Sequence, residues 1–349
     1  MASGAGSKVN KDAASLLRFG LPGIPKQVRK DQVNIESIRE DVSRKRYSAA
    51  EGEVKSAKAA LKNYPTLTYS NANIDELQAR IVEAAGFNRG SEQEGKARAS
   101  ALTLQDNIIR EFNDYEESLV PKDYKVEVPK IYDGLSRLNG RATVEMTFKK
   151  PNGEVFDIEG VNFKDAKMKM VVDGYSAPLT SGNFVELVND GFYSNMKIQR
   201  SDGFVVQTGR PEGEAEGVIG TGAEKALGRG KFGERLLPLE IMVKGDKAPF
   251  YEQTIEDNER GGQATVLPFS SYGALGWARE EYDPNSGSSQ FFWLLFDSDL
   301  TPGGKNVLDG RYPCFGYVTE GADFLRDITE GTVITSAKVT KGLENVAKQ

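Results

Sequence analysis

The stretch GFYSNMKIQRSDGFVVQTG, residues 191–209, decides how the second half of the chain is interpreted. It predicts two short strands joined by a turn at residues 201–203. Side chains alternate along a strand, and a bend is expected in the turn. Arg200, Phe204 and Gln207 are therefore expected to reach one common surface patch. A guanidinium and an amide beside an aromatic ring suit an extended peptide better than a phosphate or a metal. The stretch therefore predicts a peptide-binding site.

The composition limits the classes of function. A chain of 349 residues is long enough for two domains, each with its own core. A net charge of −6 argues against a nucleic-acid partner, since nucleic acids attract strongly basic surfaces. No apolar run approaches the roughly 18–20 residues of a membrane span. The first residues, MASGAGSKVNKD, lack the apolar segment of a signal peptide, which predicts either a cytosolic protein or a processed or trimmed form.

The cysteine and histidine counts exclude several kinds of chemistry. Cys314 is the single cysteine, so no intrachain disulfide is expected, and its setting predicts a buried apolar residue rather than a nucleophile. The chain has no histidine. Histidine-based triads, histidine-ligated metals and the usual acid–base group near neutral pH are therefore excluded. We expect neither a metal nor a cofactor.

Residues 11–120 are predicted to form an all-α domain after a disordered leader over residues 1–10. Apolar residues recur at helical spacing, for example Ile35, Ile38 and Val42. The predicted helices cover residues 12–19, residues 35–61 as one stretch, a segment capped by Asn73, and roughly residues 94–119. We interpret the stripes as helices that pack on each other in a small bundle, in preference to a partner-binding face.

Residues 121–139 mark a change of pattern. Two prolines among alternating apolar residues predict an extended connector that lies on the surface rather than a flexible linker. From Arg141 onward the apolar residues alternate, and strands recur up to Val339 around one helix over residues 181–190. Many strands, few helices and no βαβ rhythm indicate an antiparallel barrel or sandwich over residues 140–349.

Two other motifs do not predict sites. The glycine-rich segment over residues 217–233 lacks the Gly-Lys-Ser/Thr ending of a phosphate-binding loop, so we interpret it as a mobile surface loop. Asp283, Asn285 and Gly287 have the spacing of a calcium loop, but its twelfth position would be Leu294, which cannot bind a cation.

The peptide patch belongs to a longer pattern. The signature F-x-R followed by G-F-x-x-Q-x-G is typical of cyclophilins, and IQRSDGFVVQTG resembles it closely. The residues before the arginine, APLTSGNFVELV, resemble the first helix of that family. Three further motifs follow in the cyclophilin order: LGWAR at 275–279, GSSQFFWLL at 287–295 and VLDGRYPCFGYV at 307–318. On this resemblance, the fold is an N-terminal helical bundle followed by a mainly-β, closed antiparallel barrel.

The resemblance also implies an activity and a site. Cyclophilins are peptidyl-prolyl cis–trans isomerases, and Arg200 corresponds to their catalytic arginine. Five residues would line the proline pocket: Phe204, Val205, Phe292, Leu308 and Tyr312. Three would contact the peptide backbone around it: Gln207, Ala278 and Arg279. Val307 stands in the same groove.

The chain departs from the family pattern at four places. The turn after the arginine is one residue shorter, so Gln199 is an alternative occupant of the arginine position. Val205 replaces a common methionine, and Val307 and Tyr312 stand where many members carry tryptophan and histidine. Insertions between residues 211 and 273 lie near the groove. These differences predict a weak activity, and docking of the helical domain over the groove would mask it. The alternative is a non-catalytic chaperone or assembly factor that keeps the fold.

The whole chain resembles a narrower group. The patterns LLR-x-x-LP, VP-x-x-Y-x-x-L-x-x-L-x-GRA and GLEN-x-A occur together in the large thylakoid-lumen cyclophilins of plants and algae, which are linked to photosystem II assembly. This resemblance implies a lumenal protein whose targeting segment has been removed. Its implied partners are proline-containing clients, photosystem II subunits among them.

Overall fold

A computed structural model of the protein describes residues 9–220, 226–296 and 306–347. The chain divides into two compact units: a helical unit of residues 21–123, and a β unit of residues 1–20 and 124–349. The predicted layout of a helical and a β domain is confirmed. The helical unit is inserted into the sequence of the β unit, because the first helix belongs to the β unit and not to the bundle. Within the described residues, no helix combines the length and apolar character that a bilayer span needs.

The described residues form six α-helices: α1 (Ala13–Gly20), α2 (Lys26–Ser43), α3 (Tyr47–Leu61), α4 (Thr68–Gly86), α5 (Glu92–Leu119) and α6 (Pro178–Asn189). Helices α2 to α5 bury their apolar stripes in one common core, as the bundle interpretation expected. The predicted single stretch over residues 35–61 was wrong. It is two helices, because Lys45 between α2 and α3 takes a left-handed conformation with φ 57° and turns the chain.

The β unit contains fourteen strands among the described residues: β1 (Arg137–Leu138), β2 (Arg141–Lys149), β3 (Phe156–Ile158), β4 (Val161–Phe163), β5 (Ala166–Asp173), β6 (Arg200–Ser201), β7 (Val205–Thr208), β8 (Glu240–Ile241), β9 (Phe250–Tyr251), β10 (Ala274–Trp277), β11 (Phe291–Leu294), β12 (Cys314–Glu320), β13 (Val333–Lys341) and β14 (Val346–Ala347). Eight of them form one antiparallel sheet in the order β13-β2-β5-β12-β10-β11-β7-β6. The remaining six pair as β1 with β14, β3 with β4, and β8 with β9.

The predicted closed barrel was wrong, because the sheet curls into a half-barrel with β13 and β6 at its two edges. In the described part of the chain, the edges are joined through the segment before β6 by one isolated bridge, between Lys197 and Val333, and by neighbouring backbone bonds such as Ile198 N to Thr332 O at 2.7 Å. Strand β6 is only two residues long and offers little edge for pairing. The two edges therefore do not form a continuous ladder.

The core of the β unit lies between the curled sheet and α6. Strand β2 alternates as its sequence predicts, with Ala142, Val144, Met146 and Phe148 buried. The ring of Phe184 on α6 meets Phe291 edge to face at a centroid distance of 5.0 Å and Phe315 at 5.3 Å. This close-packed interior supports the strands that carry the predicted site.

Helix α1 packs on the β unit next to that site. Leu16 and Leu17 are both 5% exposed and belong to a cluster that contains Phe269 and Phe292. The guanidinium of Arg141 donates to the backbone oxygen of Leu17 at the end of the helix. An N-terminal segment that is remote in sequence therefore supports the strand that carries Phe292.

Candidate active site

A cavity of about 620 Å³ opens on the β unit. All ten residues that the sequence singled out line it: Arg200, Phe204, Val205, Gln207, Ala278, Arg279, Phe292, Val307, Leu308 and Tyr312. They come from the β6–β7 hairpin, the end of β10, β11 and the segment that leads into β12. Among the described residues, Leu294, Phe296 and Asn306 also line it.

The register of the β6–β7 hairpin decides which side chain faces the cavity. Arg200 lies directly opposite Gln207, so the two side chains share one face of the sheet. Gln199 is turned away: its amide donates to the Arg210 carbonyl at 2.7 Å and accepts from the Arg210 N–H at 3.2 Å. The shorter turn left Gln199 and Arg200 as alternative occupants of the arginine position, and Arg200 is the one that lines the cavity.

The turn after Arg200 is built around Asp202. One carboxylate oxygen, Oδ1, accepts the backbone N–H groups of Phe204 at 3.0 Å and Val205 at 3.1 Å. The other, Oδ2, accepts from Arg200 through Nε at 2.7 Å and Nη2 at 2.5 Å. Burial alone would raise the pKa of Asp202, but these hydrogen bonds outweigh it and the pKa lies below its ordinary value. Sequence reasoning placed Asp202 in the turn and missed its contact with the guanidinium.

The floor of the cavity is the ring of Phe292, which is 5% exposed. It stacks on Phe269 at a centroid distance of 5.9 Å and meets the edge of Tyr312 at 6.0 Å. Gly276 lies opposite Phe292 in the register, and a Cβ there would come within 2.1 Å of the ring. Only glycine leaves room for the ring in this position. Neither Gly276 nor Phe269 was recognised from the sequence, although Gly276 is part of the LGWAR motif.

One side of the rim is apolar and exposed. Phe204 is 61% exposed and stacks on Phe296 with an interplanar angle of 16° at 6.2 Å. Val307 is 70% exposed on the same cavity. Apolar groups that remain this accessible are available to a bound apolar side chain.

The other side of the rim is polar and held in place. The guanidinium of Arg279 lies 4.6 Å from the centroid of the Tyr312 ring. It also donates to the backbone oxygens of Arg311 at 2.9 Å and Glu280 at 2.7 Å. Because Nε and Nη1 are already engaged, Arg279 contributes a fixed wall rather than a mobile charge.

Between the two rims runs a line of amide groups. The Gln207 amide donates to the side-chain oxygen of Gln290 at 3.0 Å, and the Gln290 amide donates to the Glu216 carbonyl at 2.6 Å. A second cavity of about 660 Å³ adjoins there and shares Gln207, Ala278 and Arg279 with the first. Six described residues of the glycine-rich segment over residues 217–233 line this second cavity: Gly217, Leu227, Arg229, Gly230, Lys231 and Phe232.

The site offers hydrogen-bond donors and apolar surface. Desolvation raises the pKa of the nearby Cys314 thiol far above its ordinary value, so the thiol stays protonated and unreactive. Across the described ranges, no three cysteine or carboxylate side chains come together as a metal site would require. What the cavity can do is bind an extended apolar peptide and present a guanidinium to it.

Comparison with known proteins identifies the family. Residues 156–346, more than half of the chain, match the family described as cyclophilin type peptidyl-prolyl cis-trans isomerase/CLD. The chain is a cyclophilin. Its relatives extend the match beyond the β unit and across the helical one.

Three relatives of this cyclophilin illustrate that extent. A chloroplast peptidyl-prolyl cis–trans isomerase of Arabidopsis thaliana is 39% identical over 350 residues, which cover 97% of this chain and 75% of the relative. A Synechocystis protein provisionally named a thylakoid lumen peptidyl-prolyl cis–trans isomerase is 36% identical over 349 residues, 96% of this chain and 84% of the relative. A second chloroplast isomerase of Arabidopsis thaliana is 34% identical over 224 residues, 63% of this chain and 44% of the relative.

These matches confirm the predicted family and its isomerase function, and they do not favour the non-catalytic alternative. The predicted thylakoid-lumen localisation agrees with the names of the first two relatives, one a chloroplast protein and the other a lumenal one.

Proposed function

We propose that this cyclophilin isomerises X-Pro bonds in the cavity above Phe292, with Arg200 as the catalytic residue. The observation that supports the proposal is that the guanidinium of Arg200 and the apolar floor line one cavity. A prolyl peptide needs both features: the apolar floor holds the proline ring, and the guanidinium acts on the peptide bond that precedes it.

The proposed catalysis needs no proton transfer. An X-Pro bond isomerises slowly because its partial double bond must twist through a barrier of about 18–20 kcal/mol. In the twisted state the prolyl nitrogen regains its lone pair and can accept a hydrogen bond. A donor placed there, Arg200, stabilises the twisted state more than either planar form and so accelerates the interconversion.

The other residues have binding roles in this proposal. Phe292, Leu308 and Tyr312 hold the proline ring, together with the rim residues Phe204 and Val205. Gln207 and the backbone near Ala278 and Arg279 bind the extended peptide on the opposite side. The ring is thereby fixed while the chain before it rotates.

The groove is expected to bind peptides weakly. Valines at positions 205 and 307 offer less apolar surface than the methionine and tryptophan that many cyclophilins carry there. At about 25 cal/mol per Å² of lost contact, ground-state binding is weaker by about 1–3 kcal/mol. Arg200 acts mainly in the twisted state, so turnover persists although affinity is low.

The clients we propose are proline-containing proteins of the thylakoid lumen, with photosystem II subunits and their assembly as the specific case. The support is the resemblance of the whole chain to the large thylakoid-lumen cyclophilins. A photo-crosslinker at Val307, which is 70% exposed on the cavity rim, tests this by labelling clients in a lumen extract. Labelled photosystem II subunits that a proline peptide displaces are expected. Labelling that the peptide does not displace would contradict the proposal.

The isomerase proposal is tested by the exchange rate between cis and trans forms of a proline peptide, measured by NMR with the full chain. Wild type is expected to accelerate exchange, and Arg200→Ala to lose most of that acceleration, with exchange slower by at least about 100-fold and the fold intact. Arg80→Ala is the control, since Arg80 is an exposed arginine of α4 whose guanidinium binds Glu76 and Glu83 at 2.8 Å. An Arg200→Ala variant as fast as wild type would overturn the assignment.

A further inference from the structure

Asp202 holds the guanidinium of Arg200 in a defined orientation, and we infer that it is a positioning residue for isomerisation. The inference rests on the proposed role of Arg200. Both contacts use one carboxylate oxygen and involve Nε and Nη2 of the guanidinium, at 2.7 and 2.5 Å. The N–H groups on Nη1 are not part of this contact and remain for the prolyl nitrogen of a bound peptide.

The carboxylate is itself fixed by the backbone. Its second oxygen accepts the N–H groups of Phe204 and Val205, which closes a turn in which Gly203 takes φ 84°. One side chain therefore does two separate things: Oδ1 holds the turn and Oδ2 holds the arginine. Because the turn also begins strand β7, the orientation of Arg200 is tied to the wall of the cavity.

Arg200 needs such a partner because little else restrains it. Its side chain is 56% exposed at the edge of the sheet, on a strand of two residues. A long exposed arginine is spread over many rotamers, and only some of them place a donor over the peptide bond. A pre-oriented guanidinium loses less rotamer entropy when the twisted state forms, so the effect is expected in kcat.

The same contact also has an opposing effect, because a carboxylate partly neutralises the guanidinium. Asp202 has a side chain 35% exposed, so water screens this interaction. We expect restraint of the rotamers to outweigh neutralisation. The net prediction is that loss of the ion pair slows isomerisation.

Asp202→Asn separates the two functions of the side chain. An asparagine keeps Oδ1 for the two backbone N–H groups but replaces Oδ2 by an amide that cannot accept from Arg200. We expect kcat to fall about three- to tenfold, with KM and the melting temperature nearly unchanged. The control is Asp157→Asn: Asp157 Oδ1 accepts the Gly160 N–H at 2.7 Å in the β3–β4 turn, away from the cavity, and activity should not change.

Two further measurements distinguish positioning from a structural role. Raising NaCl from about 50 to about 500 mM should lower the wild-type kcat towards that of Asp202→Asn and leave the variant unaffected, because salt screens an exposed ion pair. In an Arg200→Ala background, Asp202→Asn should have no further effect, since Asp202 acts through that side chain. If Asp202→Asn does not fold, Asp202→Ser keeps a short acceptor for the turn and serves in its place.

The outcomes separate the inference from the proposed function. A kcat of the Asp202 variant that equals or exceeds the wild-type value, in an enzyme that still depends on Arg200, overturns the positioning role alone. Loss of the dependence on Arg200 itself overturns the proposed function, and the inference falls with it. A fall in kcat that persists in the Arg200→Ala background would show that the turn, and not the arginine, was disturbed.

Discussion

Replacement of Glu240 by glutamine is expected to flatten the pH dependence of the stability of the β unit. Glu240 begins β8 and is 1% exposed. Its carboxylate accepts the N–H groups of Thr180 at 2.6 Å and Leu179 at 3.3 Å, in the first turn of α6. Tyr251 lies opposite it in the register. Burial raises the pKa of Glu240 to about 7, although the backbone hydrogen bonds oppose the rise.

The sign and size of the effect follow from that pKa. The ordinary pKa of a glutamate is 4.5, so between pH 4.5 and 7 the native state keeps a proton that the unfolded chain has lost. The unfolding free energy therefore decreases as the pH rises. The difference between 7 and 4.5 corresponds to about 3 kcal/mol, which is fully present below pH 4.5 and lost as the pH rises through 7. About 2.5 kcal/mol of this stabilisation is lost between pH 5 and 8.

Urea unfolding between pH 5 and 8 measures this contribution. Tryptophan fluorescence reports the β unit, because Trp277 and Trp293 are the two tryptophans of the chain and both are buried there. From pH 5 to pH 8, we expect the unfolding free energy of wild type to fall by about 2.5 kcal/mol more than that of Glu240→Gln. Equal slopes for the two proteins would show that Glu240 does not hold its proton in the native state over this range.

A second buried carboxylate supplies a control of opposite sign. Burial would raise the pKa of Glu234, but the hydrogen bonds that it accepts, including those from the N–H groups of Glu216 and Phe232, lower the pKa below its ordinary value. The stability that Glu234 contributes is therefore present at neutral pH and lost as the pH falls through its folded pKa. Glu234→Gln should accordingly destabilise the protein most at pH 7–8.

Three further substitutions test the packing around the cavity. Gly276→Ala should displace the Phe292 ring and weaken peptide binding by about 1–3 kcal/mol in a titration; unchanged affinity would contradict the tight contact. Tyr312→Phe keeps the ring against Phe292 and beside Arg279, so kcat/KM should stay within about twofold, and a larger loss would assign a role to the hydroxyl. Leu17→Ala should lower the unfolding free energy by about 2–5 kcal/mol. An unchanged value would show that α1 does not stabilise the β unit.

Strand alternation predicted that Arg200, Phe204 and Gln207 share one patch, and all three line the cavity. The other seven predicted lining residues were expected only from the resemblance to cyclophilins. The pairing of Arg200 with Gln207 follows from a hairpin that the sequence already indicates. The contacts of Asp202 and the room that Gly276 leaves for Phe292 depend on how segments meet in space. No local pattern marks such contacts before the fold is known.

The errors in the fold have physical causes of the same kind. Alternation predicts that β2 has one buried face, but it does not predict whether β13 and β6 meet, and the sheet stays open. An amphipathic stripe shows that a face of α1 is buried, but it does not show against which unit. The break at Lys45 carries neither glycine nor proline, so helical spacing ran across it.

The rate of cis–trans exchange on a saturating proline peptide, compared between wild type and Arg200→Ala, decides whether the Arg200 guanidinium catalyses isomerisation. With a guanidinium that acts in the twisted state, exchange on the variant should be slower by at least about 100-fold, the usual loss for a donor of this kind. Peptide affinity should change much less, because the floor at Phe292 is untouched. An unchanged exchange rate on the bound peptide would show that Arg200 is not the catalytic residue.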